Sequence, residues 1–403
     1  MESFTSICDF GKWRRMILPP RCVRLKRVGW KGRKHFVVKE VAKQPETPGW
    51  FPFMVVANRS SGNGEGDVVL QAFRRLLNPV QVLDLSIVQP EVGLAWCQSL
   101  GAEAAACRVL VAGGDGTVGW LLSTLEDLAL SPAPLVSLLP LGTGNDLGRV
   151  LGYGSGHSGP IRPQELLERF LVGEPGTKRV ALDRWTVDVT PSLARFRIPR
   201  PRKKQLRMNN YLSIGVDALV TYNFHRSRQT LPRVMSGRLT NKFLFLTYGT
   251  KDVLDRGCAS LHKRIELYMD GERVELPELE GVVLLNIPTW GAGVRPWQLG
   301  SASEWPPQLI NDGLVEVFGL YSSFHIAQMQ VGLSEPHRFG QAKEVVLCIK
   351  DTQSCPRLPM QVDGEPWLQG PATITLKHRG QAQMLALVDE HETACSNDTF
   401  YLG

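Results

Sequence analysis

The residues best suited to chemistry sit in Gly113-Gly-Asp-Gly-Thr117, between the apolar run Val109–Ala112 and the apolar start Val118-Gly-Trp-Leu-Leu122. Glycines without Cβ atoms let backbone N–H groups come close to an anion, and a helix beginning near Thr117 adds its positive end at the same place. Asp115 and Thr117 supply polar side chains. The stretch reads as a phosphate-handling loop. A plain strand-to-helix turn uses the same residues, since glycine is common punctuation. Two neighbours weigh against that blander account. The apolar stretch Phe53–Asn58 runs into Arg59-Ser-Ser-Gly-Asn-Gly-Glu-Gly66, and Leu135–Pro140 runs into Leu141-Gly-Thr-Gly-Asn-Asp146. Strands of an open parallel sheet converge at their carboxyl ends on a ligand crevice, so three such loops suit a polyphosphate. None has the Walker spacing Gly-x4-Gly-Lys-Ser/Thr.

Two carboxylate sets lie further along. Asn311-Asp312-Gly313-Leu314 opens a strand, although an ordinary Asn-Asp-Gly turn looks the same. Asp363-Gly364-Glu365 places two carboxylates at a strand end, and Asp270-Gly271-Glu272 repeats the tripeptide in what reads as a plain hairpin. His225, His325 and His337 have no partner in sequence and read as structural or surface residues.

The elements that must position these groups change character along the chain. From 51 to about 180, short apolar strands alternate with helical patterns, the signature of a parallel α/β layer. After Asp183–Val189, period-two alternation takes over, at Arg264–Met269 with Arg273–Leu276, Gly281–Ile287, Leu314–Gly319, Glu344–Lys350, Pro359–Val362 and Ala372–Lys377. Residues 218–260 read as helical or irregular. The expected fold is α/β plus mostly β: an N-terminal parallel-sheet nucleotide-binding domain, then a mostly antiparallel β-sandwich domain. The expected division is a basic segment 1–50, an α/β domain 51–182, a mostly β domain 183–388 and a loose tail 389–403.

The chain of 403 residues is 43% hydrophobic and 21% charged, the composition of an ordinary globular protein. No apolar run approaches the roughly 18 residues of a membrane span, and no signal-peptide layout is present. Eight cysteines show no Cys-x2-Cys pair, which argues against zinc and a disulfide framework and points to the cytosol. The net charge of +7 is unevenly spread. Residues 12–43 hold twelve Lys or Arg against Glu40 alone, residues 195–207 hold seven cations and no acid, and 218–251 is also free of acids. Nucleic acid is not the expected partner, since no binding motif accompanies the charge. Taken alone, each block also reads as ordinary solvated surface.

Gly113–Trp120 and Pro140–Leu147 resemble the catalytic-domain motifs of eukaryotic diacylglycerol kinases. The resemblance continues through Met208-Asn-Asn-Tyr211, Gly249-Thr-Lys-Asp252, Asn311–Leu314 and Met360-Gln-Val-Asp-Gly-Glu-Pro-Trp367, from about residue 8 to about residue 388. Within that family, Leu77–Val82 and Cys8–Lys12 with Pro19-Pro20 look most like the epsilon type.

This resemblance implies an ATP-dependent kinase using Mg2+ that converts 1,2-diacylglycerol to phosphatidic acid, and for the epsilon type a preference for arachidonoyl chains. It implies that Asn58, Ser61 and Gly62 touch nucleotide or phosphate, that Gly113, Gly114, Gly116 and Thr117 lie on the phosphates, and that Thr143, Gly144 and Asn145 lie near ribose or phosphates. Asp115 then binds Mg2+, acts in catalysis, or braces its loop. Asp312, with main chain at Leu314, is implied to hold a structural Mg2+, and the general base is Glu365 or Asp363. Such kinases carry two upstream cysteine-rich zinc modules, and Cys8 here is at most the last residue of one, so no zinc is expected. The resemblance to a lipid kinase makes attraction to an anionic membrane surface the better account of the basic blocks, at roughly 1 kcal/mol per basic side chain, and the expected location is cytoplasmic and peripheral to membranes. Competing readings are a sphingoid, ceramide or NAD kinase, and a catalytically silent nucleotide- or membrane-binding isoform; the 140–147 and 360–367 blocks favour diacylglycerol.

Overall fold

The computed structural model describes residues 11–30, 33–100, 107–142, 144–157, 159–169, 176–192, 202–230, 258–291, 293–300, 304–351 and 357–388. The expected tail 389–403 lies outside them, as do 195–201 of the block 195–207, 231–251 of the block 218–251, and the quoted Gly249–Asp252.

The basic N-terminal segment contains a hairpin, β1 (Val23–Trp30) antiparallel to β2 (Arg33–Val41). Val37 and Val38 are buried, Val38 within the core around Trp96 and Leu18, while Arg24, Lys26, Arg27, Lys39 and Phe36 are exposed. Gln81 ties the segment down: its Nε2 donates to the carbonyls of Met16 (2.8 Å) and Phe53 (2.7 Å), and its Oε1 accepts from Leu18 N–H (2.8 Å). Each of these is a buried polar group that must be paired.

The α/β layer follows: β3 (Phe53–Ala57), α1 (Glu65–Arg74), β4 (Val82–Asp84), α2 (Pro90–Leu94), β5 (Arg108–Gly113), α3 (Asp115–Asp127), β6 (Leu135–Pro140), α4 (Asp146–Val150) and α5 (Pro163–Arg169). The four strands are parallel in the order β4-β3-β5-β6. β3 and β6 are buried along their whole length, as expected of strands covered on both faces. In α3, Val118, Leu121, Leu122 and Leu125 form one buried stripe at helical spacing, each stabilising by roughly 1.5–3 kcal/mol.

The second region is built from β7 (Thr177–Pro191), β8 (Lys204–Met208), β9 (Tyr211–Gly215), α6 (Val216–Thr230), α7 (Leu261–Arg264), β10 (Ile265–Met269), β11 (Glu272–Val274), β12 (Gly281–Leu285), β13 (Val315–Leu320), α8 (Ser323–Gln330), β14 (His337–Ala342), β15 (Glu344–Ile349), β16 (Leu358–Val362), β17 (Glu365–Gln369) and β18 (Ala372–Leu387). The antiparallel sheet β14-β13-β12-β9-β16-β17 packs against β7, β10, β15 and the first half of β18 through one core centred on Trp185, Met208, Leu284 and Val317. This is the β-sandwich. α6 and α8 cover the sheet's other face, over Phe318 and Trp290.

β18 extends ten residues beyond the expected strand Ala372–Lys377. It pairs with β7 from Ala372↔Pro191 to Leu387↔Thr177, and at Gln383 and Met384 it runs parallel to β6. One sheet is therefore continuous through both regions, and the expected boundary at 182/183 falls inside β7.

Candidate active site

The three glycine loops meet at the carboxyl ends of β3, β5 and β6. A Cβ on Gly114 would lie 3.1 Å from the Cα of Gly142, and one on Gly62 would lie 2.9 Å from the carbonyl oxygen of Leu141. Gly113 is packed under the folded-back side chain of Thr117, 2.7 Å from where its Cβ would stand. Gly114 is extended (φ −95°, ψ 179°), and neither Gly113 nor Gly116 has a positive φ. Close approach therefore explains Gly113 and Gly114, rather than a left-handed turn. A Cβ on Gly116 would meet nothing within 4 Å, and this residue lines the cleft.

Of the other expected nucleotide residues, Asn58 caps its own turn, its Oδ1 accepting from Ser60 N–H (3.1 Å) and Oγ (2.8 Å), while Ser61 N–H donates to the Asn58 carbonyl (2.9 Å). Asn145 is left-handed (φ 50°) and donates from Nδ2 to the carbonyls of Gly142 and Ser155, both at 2.8 Å. Its Oδ1 is buried without a protein partner beside Gly114 and Gly142, an acceptor left for a ligand donor or water. A Cβ on Gly144 would contact the carboxylates of Asp115 and Asp146 at 3.8 and 3.7 Å. Thr143 lies outside the described residues.

Asp115 opens α3 and accepts the backbone N–H of Asp146 on Oδ2 (3.0 Å). Burial pushes its carboxyl up to about 7; the charge of Asp146 adds to this, the amide of Asp146 pulls back, and Asp363 raises it further. Asp115 faces the sandwich across a cleft of about 610 Å³ that also takes in Trp120, Lys204, Arg207, Asn209, Asp363, Glu365 and Trp367.

Within that cleft the two candidate bases differ. Asp363 accepts Asn209 N–H (2.8 Å) and Nδ2 (3.0 Å) on Oδ2, and Asn210 N–H (2.8 Å) and Tyr211 N–H (3.0 Å) on Oδ1. A carboxylate has about four lone-pair sites, so these four donors fill it. Burial raises the Asp363 carboxyl while the four donors pull it down. Glu365 is exposed to the cleft.

Sequence reasoning did not single out the groups that hold this wall in place. Arg184, with a side chain 4% exposed, donates from Nε to Asn209 Oδ1 (3.0 Å), from Nη1 to the Leu122 carbonyl (3.0 Å) and Glu126, and from Nη2 to Ser123 Oγ (3.1 Å). Asn286 donates to the carbonyls of Asp183 (2.8 Å) and Asn209 (2.6 Å) and accepts Trp185 Nε1 (2.7 Å). Arg207 grips Asp127 with both Nη atoms. The back half of α3 is thus latched to the sandwich, and Asn209 passes that latch on to Asp363. Their trace in the sequence is that Asn209 stands inside the quoted motif Met208–Tyr211, with Arg184 in the stretch Asp183–Val189.

At the expected cation site, Asp312 Oδ1 accepts Leu314 N–H (3.0 Å), and Asp183 Oδ2 accepts Gly313 N–H (2.7 Å). The Asp312 carboxyl is raised by desolvation and also by the charge of Asp183. A divalent cation would relieve both, and Mg2+ is content with one or two carboxylates plus waters, so the residues fit it. No cluster of three or more His, Cys, Asp or Glu side chains suited to a metal occurs among the described residues. His325 is engaged structurally, bonded to Tyr321 N–H (3.2 Å) and the Glu335 carbonyl (2.9 Å), and His337 pairs with Tyr321 Oη (2.9 Å).

Residues 52–171 match the diacylglycerol kinase catalytic domain and residues 207–366 the diacylglycerol kinase accessory domain. The chain is similar to human diacylglycerol kinase theta, 39% identical over 84% of this chain and 35% of that one. It is also similar to diacylglycerol kinase 1 of Arabidopsis thaliana, 38% identical over 83% of this chain and 44% of that one. It therefore spans less than half the length of either. A Bacillus anthracis crystal structure assigned to the diacylglycerol kinases is 18% identical and superposes with a TM-score of 0.51 over 83% of this chain and 97% of that one, a likeness of fold.

Proposed function

We propose, from the premise that this chain belongs through both of its domains to the diacylglycerol kinase family, that it transfers the γ-phosphoryl group of ATP to the free hydroxyl of 1,2-diacylglycerol, giving phosphatidic acid and ADP. The observation that carries the reading is the cleft itself, which brings Asp115 and Gly116 of the second glycine loop into one space with Glu365, while Gly144 of the third loop approaches the Asp115 carboxylate. Phosphoryl transfer asks a protein mainly for positioning and charge stabilisation. The loops 58–66, 113–117 and 141–145 hold the phosphates, and Glu365 or Asp115 takes the hydroxyl proton. Asp363, with its lone pairs filled, positions the wall. Asp115 would hold the nucleotide's Mg2+ and Asp312 with Leu314 a structural one; when bound, the ion neutralises phosphate charge.

A panel of diacylglycerol, sphingosine, ceramide and NAD with radiolabelled ATP tests the substrate class. Labelled phosphatidic acid as the main product is the expected result; label confined to another acceptor, or none, overturns it. Gly116→Asp is the cleaner loop variant, since its side chain has room and the fold is spared, whereas Gly114 abuts Gly142. A carboxylate at 116 should abolish turnover by repelling phosphate.

The epsilon-type assignment and its arachidonoyl preference are part of this proposal, supported by Leu77–Val82 and tested by diacylglycerols differing only at sn-2. So is docking on anionic membranes. No helix among the described residues is long and apolar enough to cross a bilayer. The docking element is the β1–β2 hairpin, which presents Arg24, Lys26 and Arg27 beside Phe36, 63% exposed, and Leu25, 46% exposed. Trp13 packs against the core instead. Vesicle co-sedimentation should rise with phosphatidylserine, fall with salt, and weaken when the three cations become Gln.

A further inference from the structure

A phosphoryl acceptor enters this cleft neutral and leaves carrying a phosphomonoester. The walls it leaves past are acidic: Asp115, Asp363 and Glu365 all line the space. Among the described residues, two cations, Lys204 and Arg207, line it as well. Arg207 is committed, with both Nη atoms on Asp127 and Nη1 also on the Ser123 carbonyl at 2.9 Å. Lys204 is not. It starts β8, is exposed, and makes no ion pair with any described carboxylate. Its Nζ stands 4.4 Å from the centroid of the Trp367 ring. That ring is fixed from behind by its Nε1 donating to Gln369 Oε1 at 2.9 Å, so it offers a steady face to the ammonium. An ammonium over an aromatic ring is held weakly compared with one on a charged oxygen, so Trp367 parks the cation without retaining it.

We infer that Lys204 is the cleft's phosphomonoester-binding residue, taking the phosphate of the lipid product from the side opposite the glycine loops. This rests on the proposed function. It adds an asymmetry to it: a cation so placed favours the charged product over the neutral substrate, so Lys204 sets product affinity and product inhibition. The same chemistry could come from the phosphates of ATP, and the test separates the two sources.

The intrinsic tryptophan fluorescence of the full chain is titrated with dihexanoyl phosphatidic acid below its micellar concentration, with dihexanoylglycerol and ATP as parallel arms. Trp367→Phe identifies the responding ring. Lys204→Gln should weaken phosphatidic acid binding about tenfold, the scale of one charge-assisted hydrogen bond, and Lys204→Arg should restore most of it. Binding of dihexanoylglycerol and of ATP should not move. In turnover, Lys204→Gln should relieve inhibition by phosphatidic acid by a similar factor with KM for ATP unchanged. Phosphatidic acid binding that is undetectable in the natural chain, or unchanged in Lys204→Gln, overturns the inference; a loss confined to ATP overturns it too, moving Lys204 to the nucleotide. Binding is read without turnover. A chain that phosphorylates no diacylglycerol yet binds phosphatidic acid through Lys204 therefore overturns the proposed function and not this assignment.

Discussion

Asp-Gly-Glu occurs twice, at 270–272 between β10 and β11 and at 363–365 between β16 and β17, and the two copies are built alike. Both Asp-Gly pairs are left-handed, with φ of 49° and 88° in one and 48° and 82° in the other, the geometry of a tight two-residue hairpin. Met269 pairs with Glu272 as Val362 pairs with Glu365. Each Asp donates its N–H to the neighbouring strand, at the carbonyls of Glu344 and Tyr211, both at 2.9 Å. Each carboxylate turns back onto that strand's amides, Asp270 onto Lys343 and Glu344, Asp363 onto Asn210 and Tyr211. Two things differ. Asn209 adds two donors to Asp363 only, and the 363 copy faces Asp115 across a cleft, whereas the 270 copy is exposed at a sheet edge. The tripeptide therefore specifies a turn and a strand-capping carboxylate. Function comes from what the turn faces.

The largest effect should separate the two glutamates. Glu365→Gln removes a candidate base and should lower kcat by about 10²–10⁴-fold, the usual range for a general base, while Glu272→Gln leaves kcat alone. A Glu365→Gln enzyme that keeps more than about half its kcat transfers the role to Asp115, and Asp115→Asn should then show the full loss. Steady-state kinetics with saturating ATP decides it.

The two aspartates should differ next, in stability. Asn at 363 offers one acceptor oxygen to four donors and turns an NH2 toward amide hydrogens, leaving buried N–H groups unpaired at about 1–3 kcal/mol each. We expect Asp363→Asn to cost about 3 kcal/mol and the exposed Asp270→Asn less than about 1 kcal/mol, measured by urea unfolding. Equal losses would mean that Asn209 adds nothing and the two turns are energetically the same.

The likeness of the copies also marks how far the sequence could be read. Gly281–Ile287, Glu344–Lys350 and the hairpin at 270–271 were legible because local alternation and turn chemistry agree there with the fold. β1 and β2 were not, since charge at Arg24, Lys26 and Arg27 breaks the apolar alternation in a strand whose side chains there stay exposed. The second half of β18 was missed because His378–Gln381 is polar where it crosses between the two regions, with the pairing register shifting at Arg379 between His378 and Gly380. The convergence of the glycine loops could be argued from strand order alone. The latch from Arg184 through Asn209 to Asp363 could not, because it joins positions 25 and 154 residues apart and leaves no periodic trace.

The smallest expected effect is a shift in pH dependence, and it tests whether the cleft separates the copies electrostatically. Asp115 sits at about 7, raised first by burial and next by the charge of Asp146, with Asp363 also contributing. A raised carboxyl holds its proton more tightly in the native state than in the unfolded chain, where it titrates near 3.9. For this group, stability relative to the unfolded chain is greatest below about 3.9 and is lost as pH climbs through about 7. If turnover needs ionised Asp115, kcat/KM should rise across the same interval. Asp146→Asn removes the second of the raising causes while keeping the backbone N–H that Asp115 accepts, so the native carboxyl should ionise more readily. The acid limb of the kcat/KM profile should then move to lower pH. Asp270→Asn, remote from the cleft, should leave the limb where it is. A limb that stays fixed in Asp146→Asn, or moves upward, would show that Asp115 is not the group being titrated and that the acidic face of the cleft does not govern the reaction.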